Sequence, residues 1–197
     1  MYSIKTATVN NEEFSSSYMP VGINNNITLK ECTVEKSPTG KDFIRFIFED
    51  KEGRSVNTSE WKNEKNMWIK TDEDLQKRDD TQFGRILQIV GCYYNELEDV
   101  SFTNFSEMIN WVKSKLDPMI PTKKELRLKT IYDKNGFVTI SRNGLFIEPM
   151  TVTDSQIKLF KNDLLERPIV ADKESDPLTG NSIPADGNKT GADDLPF

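Results

Sequence analysis

The run FIRFIFED, residues 43–50, repeats with a period of two: Ile44, Phe46 and Phe48 fall on one side, Phe43, Arg45 and Ile47 on the other. A helix would scatter these large side chains around its circumference. A pleated strand sorts them into one apolar face and one mixed face. A lone strand cannot bury the apolar face, so the run demands sheet neighbours and a core. Both neighbours are visible. Upstream, INNNITLKECTVEKS (23–37) alternates loosely and leads into SPTGKD, where Pro38 and Gly40 suit a tight turn; downstream, DKEG turns the chain into RSVNTSEW (54–61). Three successive strands joined by short turns predict an antiparallel meander.

The period then changes. In TQFGRILQIVGCYYNEL (81–97), Phe83, Ile86, Leu87, Val90, Tyr94 and Leu97 lie near helical spacing, and NFSEMINWVKSKL (104–116) repeats the pattern with Phe105, Met108, Ile109, Val112 and Leu116. Asn104 with Glu107 three residues on predicts a helix start, and Pro118 a stop. Strand signals return in KELRLKTIYD (124–133), FVTIS (137–141) and LFIEP (145–149). Between them stand Asn135-Gly136 and Asn143-Gly144, the pairs that tight hairpin turns favour. A last amphipathic stretch, DSQIKLFKNDLLER (154–167), stops before Pro168.

The expected fold is mainly β with α insertions: a five-stranded Greek-key barrel of the OB-fold type across 21–168, with a helical insertion at 81–117 between strands 3 and 4. A β-sandwich or a more general α+β arrangement fits the same pattern. Residues 1–20 are expected to form an N-terminal arm. Residues 169–197, rich in Gly, Pro, Asp, Asn, Ser and Thr, read as a disordered acidic tail.

The 197 residues include no histidine, which removes the usual general base and the commonest zinc ligand. Two cysteines, Cys32 and Cys92, stand far apart and read as small buried hydrophobes. The expectation is a non-enzyme with no cofactor and no metal. No apolar run is long enough to span a bilayer, and the start lacks a basic-then-apolar leader pattern, so a cytoplasmic protein without a membrane partner is expected. Net charge is -6, but from Pro168 onward six acids oppose two lysines, a balance of -4, which leaves -2 for the rest. A near-neutral domain can still carry a basic stripe on one face.

The sequence closes on Asp193-Asp194-Leu195-Pro196-Phe197. An acidic segment ending in an aromatic ring offers that ring to a pocket and its aspartates to a basic rim, which predicts partner docking. This peptide resembles the acidic terminal peptide of bacterial single-stranded-DNA-binding proteins, Asp-Asp-(Asp)-Ile-Pro-Phe, and the Phe-ended tails of their phage counterparts. Leu195 stands where the family has isoleucine. The stretch VGINNNITLKECTVEKSPTGKDFIRFIFEDKEGRSVNTSEW (21–61) is similar to the phage branch of that family, whereas the helical insertion has no counterpart in the likeness. The resemblance implies a sequence-nonspecific protein that coats single-stranded DNA in replication, recombination and repair. It also implies recruitment of partner enzymes through the tail, and leaves the oligomeric state open.

Single-strand binding needs rings for base stacking and cations for phosphates. The first candidates are Phe43 and Arg45 on the mixed face of 43–50, then Trp61, Lys62, Lys65 and Trp68 in WKNEKNMWIK (61–70), read as a loop that closes over DNA. A second set is Lys123, Lys124, Arg127 and Lys129 along 123–133, where Arg127 and Lys129 share one face, with Tyr132, Lys134, Phe137 and Arg142 in the hairpin that follows. Two rival readings are a protein–protein adaptor of the replication machinery and a metal-dependent nuclease. The latter would use Glu49-Asp50-Lys51 or the acidic runs Asp72-Glu73-Asp74 and Asp79-Asp80. The trio also reads as an exposed turn, and the two runs also suit helix starts or loops.

Overall fold

The computed structural model describes residues 18–168. In order, the chain forms β1 (Gly22–Lys36), β2 (Asp42–Glu49), β3 (Ser55–Trp61), α1 (Asp72–Gly91), α2 (Phe105–Leu116), β4 (Leu126–Tyr132), β5 (Val138–Ile140) and β6 (Ile147–Pro149), with a short 3-10 turn at Ile120–Thr122. The strands make one antiparallel, open six-stranded sheet of order β3-β2-β1-β4-β5, and β6 also pairs with β4. The expected meander is there in register, with Phe43 opposite Trp61 and Phe48 opposite Val56.

The long strand β1 belongs to two ladders. Its first part pairs with β4, Ile23 opposite Lys129 and Ile27 opposite Leu126, and its second with β2, Thr28 opposite Glu49 through Lys36 opposite Asp42. Register slips between Asn24 and Ile27 and between Leu29 and Glu31 mark the change, and Asn26 adopts φ 57° there. Bulges bend and twist a strand, so the two ladders turn towards a common interior. Ile44, Phe46 and Phe48 of β2 meet Leu126 and Leu128 of β4 there, as their alternation requires. The helices lie over this core through Ile86, Ile89 and Val90 of α1 and Met108, Ile109, Val112 and Leu116 of α2.

Helix α1 starts nine residues earlier than the apolar spacing predicts and ends before Tyr94 and Leu97. Its beginning is polar: Thr71 Oγ1 accepts the Asp74 amide at 3.0 Å, and Asp72, Glu73 and Asp74 fill the first turn, where backbone N–H groups favour negative charge. Ile89 rather than Leu87 is buried on its inner face. Helix α2 matches its expected span, with Asn104 accepting the Glu107 amide at 2.9 Å while Glu107 accepts from the Thr103 amide and hydroxyl.

Two expectations are corrected. Tyr18, Met19 and Pro20, assigned to the arm, are built into the domain: Tyr18 bridges Ser55, Met19 is in the core, and the Pro20 carbonyl accepts from Thr130 Oγ1 at 2.7 Å. Arm residues 1–17 and the tail 169–197 lie outside the described residues. In addition, Asn143-Gly144 does not close a hairpin between β5 and β6. Both strands lie end to end along β4, because the Lys129 amide donates to the Phe146 carbonyl at 2.8 Å while its carbonyl accepts from the Ser141 amide at 3.1 Å. The 141–146 turn therefore loops around Lys129.

The side chain of Lys129 is wholly buried. Its Nζ donates to the Asn143 carbonyl at 2.8 Å, the Lys158 carbonyl at 2.9 Å and Asp163 Oδ2 at 3.1 Å, and sits 4.5 Å from the centre of the Phe160 ring. Asp163 also accepts from Ser141 Oγ, Asn143 Nδ2 and the Phe160 amide. These contacts hold residues 154–167 as an irregular wrap across β4 and β5 rather than a helix. Burial pushes the Asp163 carboxyl up, but the Phe160 amide, Asn143, Lys129 and Ser141 outweigh it and hold the group down to about 2.

A carboxylate depressed in this way stabilises the fold fully above its unfolded value of 3.8 and loses that contribution as the pH falls towards 2. Asp163→Asn leaves Lys129 buried without a counter-charge and is expected to cost about 3 kcal/mol at pH 7, read from the urea midpoint. The variant should also show a flatter loss of stability between pH 4 and pH 2 than the wild type.

Candidate functional site

The antiparallel register brings Phe43 of β2 beside Trp61 at the end of β3, with ring centres 4.1 Å apart and planes 22° from parallel. Phe43 is buried beneath the indole, while Trp61 stays 43% exposed. Arg45, two residues along the same face, lies 5.2 Å from the Phe43 ring and pairs with Glu35 of β1 at 3.3 Å. Phe43 therefore supports the platform rather than touching a ligand, and Trp61 supplies the accessible ring.

A groove of about 410 Å³ opens beside Trp61, between the β3 edge and α1, lined among others by Arg78, Gln82, Arg85 and Arg142. Its floor is a buried polar brace. Glu60 accepts from Arg85 Nε and Nη2 at 3.0 and 2.9 Å and from Gln82 Nε2 at 2.9 Å; Gln82 also donates to the Trp61 carbonyl at 2.8 Å. The charge of Arg85 is thus neutralised, and the brace fixes the backbone of Trp61 to α1. Arg142 reaches the Ser59 carbonyl at 3.4 Å. Among the described residues, neither Arg78 nor Arg142 has a carboxylate within ion-pair distance. The groove therefore offers one open indole and two guanidinium groups whose charge no described carboxylate neutralises.

Sequence spacing passes over Arg78 because the apolar period begins at Thr81, and Arg85, inside that period, then has no basic neighbour on its helix face. The signal that would have found them is the i, i+4, i+7 stripe Arg78, Gln82, Arg85, which needs the helix to start at Asp72. Arg142 stands just before the Asn143-Gly144 pair, and only the tertiary fold carries it to the β3 edge.

The other expected site residues disperse. Lys129 is the buried peg described above and is not available to phosphate, which corrects its assignment. The alternation on β4 missed this because the 154–167 wrap covers what a free sheet would expose. Arg127 is mostly buried, its guanidinium held by Glu148 and by Asn25 Oδ1. Lys65 pairs with Asp72 at 2.6 Å. Lys62 is exposed but borders a different cavity of about 490 Å³ between the helices, with Phe83, Phe102 and Phe105.

Trp68 is 79% exposed beside Met67 at the apex of a braced turn. The Asn66 and Ile69 backbones exchange hydrogen bonds at 3.1 and 3.2 Å, Asn66 Oδ1 accepts the Trp68 and Ile69 amides, and Ile69 is buried. Lys41–Glu64 at 2.6 Å secures the loop further. The segment expected to close over DNA thus forms a braced turn that projects Met67 and Trp68 from the surface.

The acidic trio reads as a turn. Asp50 caps the Glu52 and Arg54 amides, Glu49 pairs with Lys30 and Lys51 with Glu125. Burial raises the Asp50 carboxyl, but the Arg54 side chain and amide overcome it and hold the group below its ordinary value. Among the described residues no cluster of three or more acidic or cysteine side chains has metal-ligand geometry, and no helix is long and apolar enough to cross a membrane. Docking residues Asp193, Asp194, Leu195, Pro196 and Phe197 lie outside the described residues. No protein-family model and no curated protein matches the sequence.

The exposures order the three tryptophans in solution. Trp68→Phe should remove the largest share of acrylamide-quenchable emission, Trp61→Phe a smaller share, and Trp111→Phe, whose ring packs with Phe83 and Phe102, the least. Stern–Volmer titration of the single variants checks the order.

Proposed function

We propose that this protein is a non-catalytic, sequence-nonspecific single-stranded-DNA-binding protein built on an OB-fold barrel. The observation that carries the reading is the Trp61 groove, where a half-exposed indole seated on Phe43 adjoins Arg78 and Arg142, neither of them ion-paired among the described residues. Bases stack on the indole whatever their identity, because every base has a π-face. The two guanidinium groups take phosphates without reading sequence.

The barrel reading rests on several features. The strand order is β3-β2-β1-β4-β5, β1 is shared between two ladders, both helices are inserted between β3 and β4, and β5 lies near β3, with Arg142 of the turn after β5 reaching the Ser59 carbonyl. In the proposed role the protein coats transient single strands in the cytoplasm during replication, recombination or repair. It recruits partner enzymes through Asp193–Phe197, as the resemblance of that peptide implies.

Titration of fluorescent oligo-dT at two salt concentrations tests the reading, with tryptophan emission as a second signal. Quenching and a clear loss of affinity with salt are expected. Trp61→Ala should weaken binding by about 1–3 kcal/mol. Arg78→Ala and Arg142→Ala should each flatten the slope of log affinity against log salt by about 0.7. Absence of binding at low salt overturns the proposal, and magnesium-dependent strand cleavage replaces it with the nuclease.

A separate expectation concerns the acidic tail. If Asp193 and Asp194 at its end compete with phosphates for the same cations, deleting residues 189–197 tightens DNA binding at low salt and leaves it unchanged at high salt. Equal affinities at low salt discard the competition while leaving the docking role standing.

A further inference from the structure

We infer that the strand path does not end at the Trp61 groove. It continues over the Asn143-Gly144 turn onto the C-terminal wrap, where Phe160 and Phe137 with Lys134, Lys158, Lys161 and Arg167 form a second half-site for single-stranded nucleic acid. This rests on the preceding reading of the groove and extends its surface.

Phe160 is a fixed ring with an open side. Lys129 Nζ lies 4.5 Å from its centre, and its amide donates to Asp163 Oδ2 at 2.8 Å. Gly144 lies so close that a Cβ there would stand 2.8 Å from the ring edge, at a φ of +63° that also favours glycine. Even so, 44% of the residue faces solvent. Held this way, the ring loses little freedom when a base stacks on it.

Phe137 is 59% exposed just past the β4–β5 turn, its amide donating to Asp133 Oδ1 at 2.8 Å. Arg167 lies against that turn, with its Nε 3.1 Å from where a Cβ on Gly136 would stand. The end of the wrap and the hairpin thus form one surface.

The charges around these rings favour an anion. Among the described residues Lys134, Lys158, Lys161 and Arg167 have no carboxylate within ion-pair distance. Of the local acids, Asp163 is neutralised by Lys129 and Asp133 is turned to the Asn135 and Phe137 amides, so Asp133, Asp154 and Glu166 stand against the four cations and the balance stays positive. The exposed leucines of the wrap would also suit a protein partner. Protein interfaces, however, are depleted in lysine, whereas surfaces that hold single strands interleave rings with free cations.

Continuity with the groove is short and direct. Arg142 lines the groove, Asn143 and Gly144 follow it, the Gly144 carbonyl accepts from Gln88 Nε2 at 3.3 Å, and Phe160 covers Gly144. A strand leaving Trp61 past Arg142 meets Phe160 next.

Oligonucleotide length separates the two half-sites. The full chain would be titrated with oligo-dT of roughly 5 and roughly 20 nucleotides, lengths that fall near and beyond the usual footprint of one such domain. Lys158→Glu/Lys161→Glu, which keeps the Phe160 ring and its seat, should lower affinity for the long oligomer about tenfold and leave the short one unchanged. Phe160→Ala should do the same. Trp61→Ala should weaken both lengths.

Equal binding of the long oligomer by wild type and both wrap variants overturns the second half-site while leaving the groove intact. Failure of the wild type to bind either length overturns both readings. If light scattering instead finds a wild-type oligomer that the wrap variants dissociate, with long-oligomer affinity unchanged, a second copy of the chain covers this surface and the proposal falls.

Discussion

The pair Lys129–Asp163 is the contact on which the second half of the domain depends. It is wholly buried, and it joins pieces of chain that share no continuous ladder: β4, the turn after β5 and the wrap before Pro168. Desolvating an ammonium and a carboxylate is costly, and the pair offsets that cost only because the remaining hydrogen-bonding positions are filled. Lys129 reaches two carbonyls and Asp163 reaches a hydroxyl, an amide side chain and a backbone N–H. The pair works with the backbone bonds of Lys129 to Ser141 and Phe146, the Gln88 contacts to Gly144 and Phe146, and the Tyr132 amide on the Leu164 carbonyl to hold the 141–146 turn and the wrap in place.

A second buried ionic brace, Glu60 with Arg85 and Gln82, does the equivalent for the other half. It fastens α1 to the end of β3 at the residue preceding Trp61. The two braces set the two sides of one surface: one fixes Trp61 with Arg78 alongside, the other fixes the turn that carries Arg142. The β2 face supports them from below, since Phe43 fills the space beneath the indole. Polar networks of this kind contribute little as isolated pairs but determine which arrangement of the chain is satisfied.

Much of the fold was legible because period and punctuation are local. The alternation of Ile44, Phe46 and Phe48, the turns at Gly40 and Gly53, the Asn104 cap and the three later strands can be read within about ten residues of each position. The misreadings share one physical origin. Lys129 alternates like an exposed residue, and only the return of residues 154–167 buries it. The Asn143-Gly144 pair has hairpin chemistry, yet it bridges two strands laid end to end on β4. The beginning of α1 is polar and carries no apolar period, so its start was set by a cap and a charged first turn rather than by packing.

The amino-acid sequence by itself determined which segments form strands and helices, the concentration of net negative charge after Pro168, and the placement of Phe43 and Arg45 on one strand face. These follow from interactions within a strand or helical turn, where separation along the chain equals separation in space. The tertiary structure alone decided which cations remain free. Arg85, Arg127 and Lys129 find carboxylate partners contributed by other elements, Glu60, Glu148 and Asp163, whereas Arg78 and Arg142 find none among the described residues. Whether a charge is available to a ligand depends on what packs against it, and those neighbours lie tens of residues away along the chain.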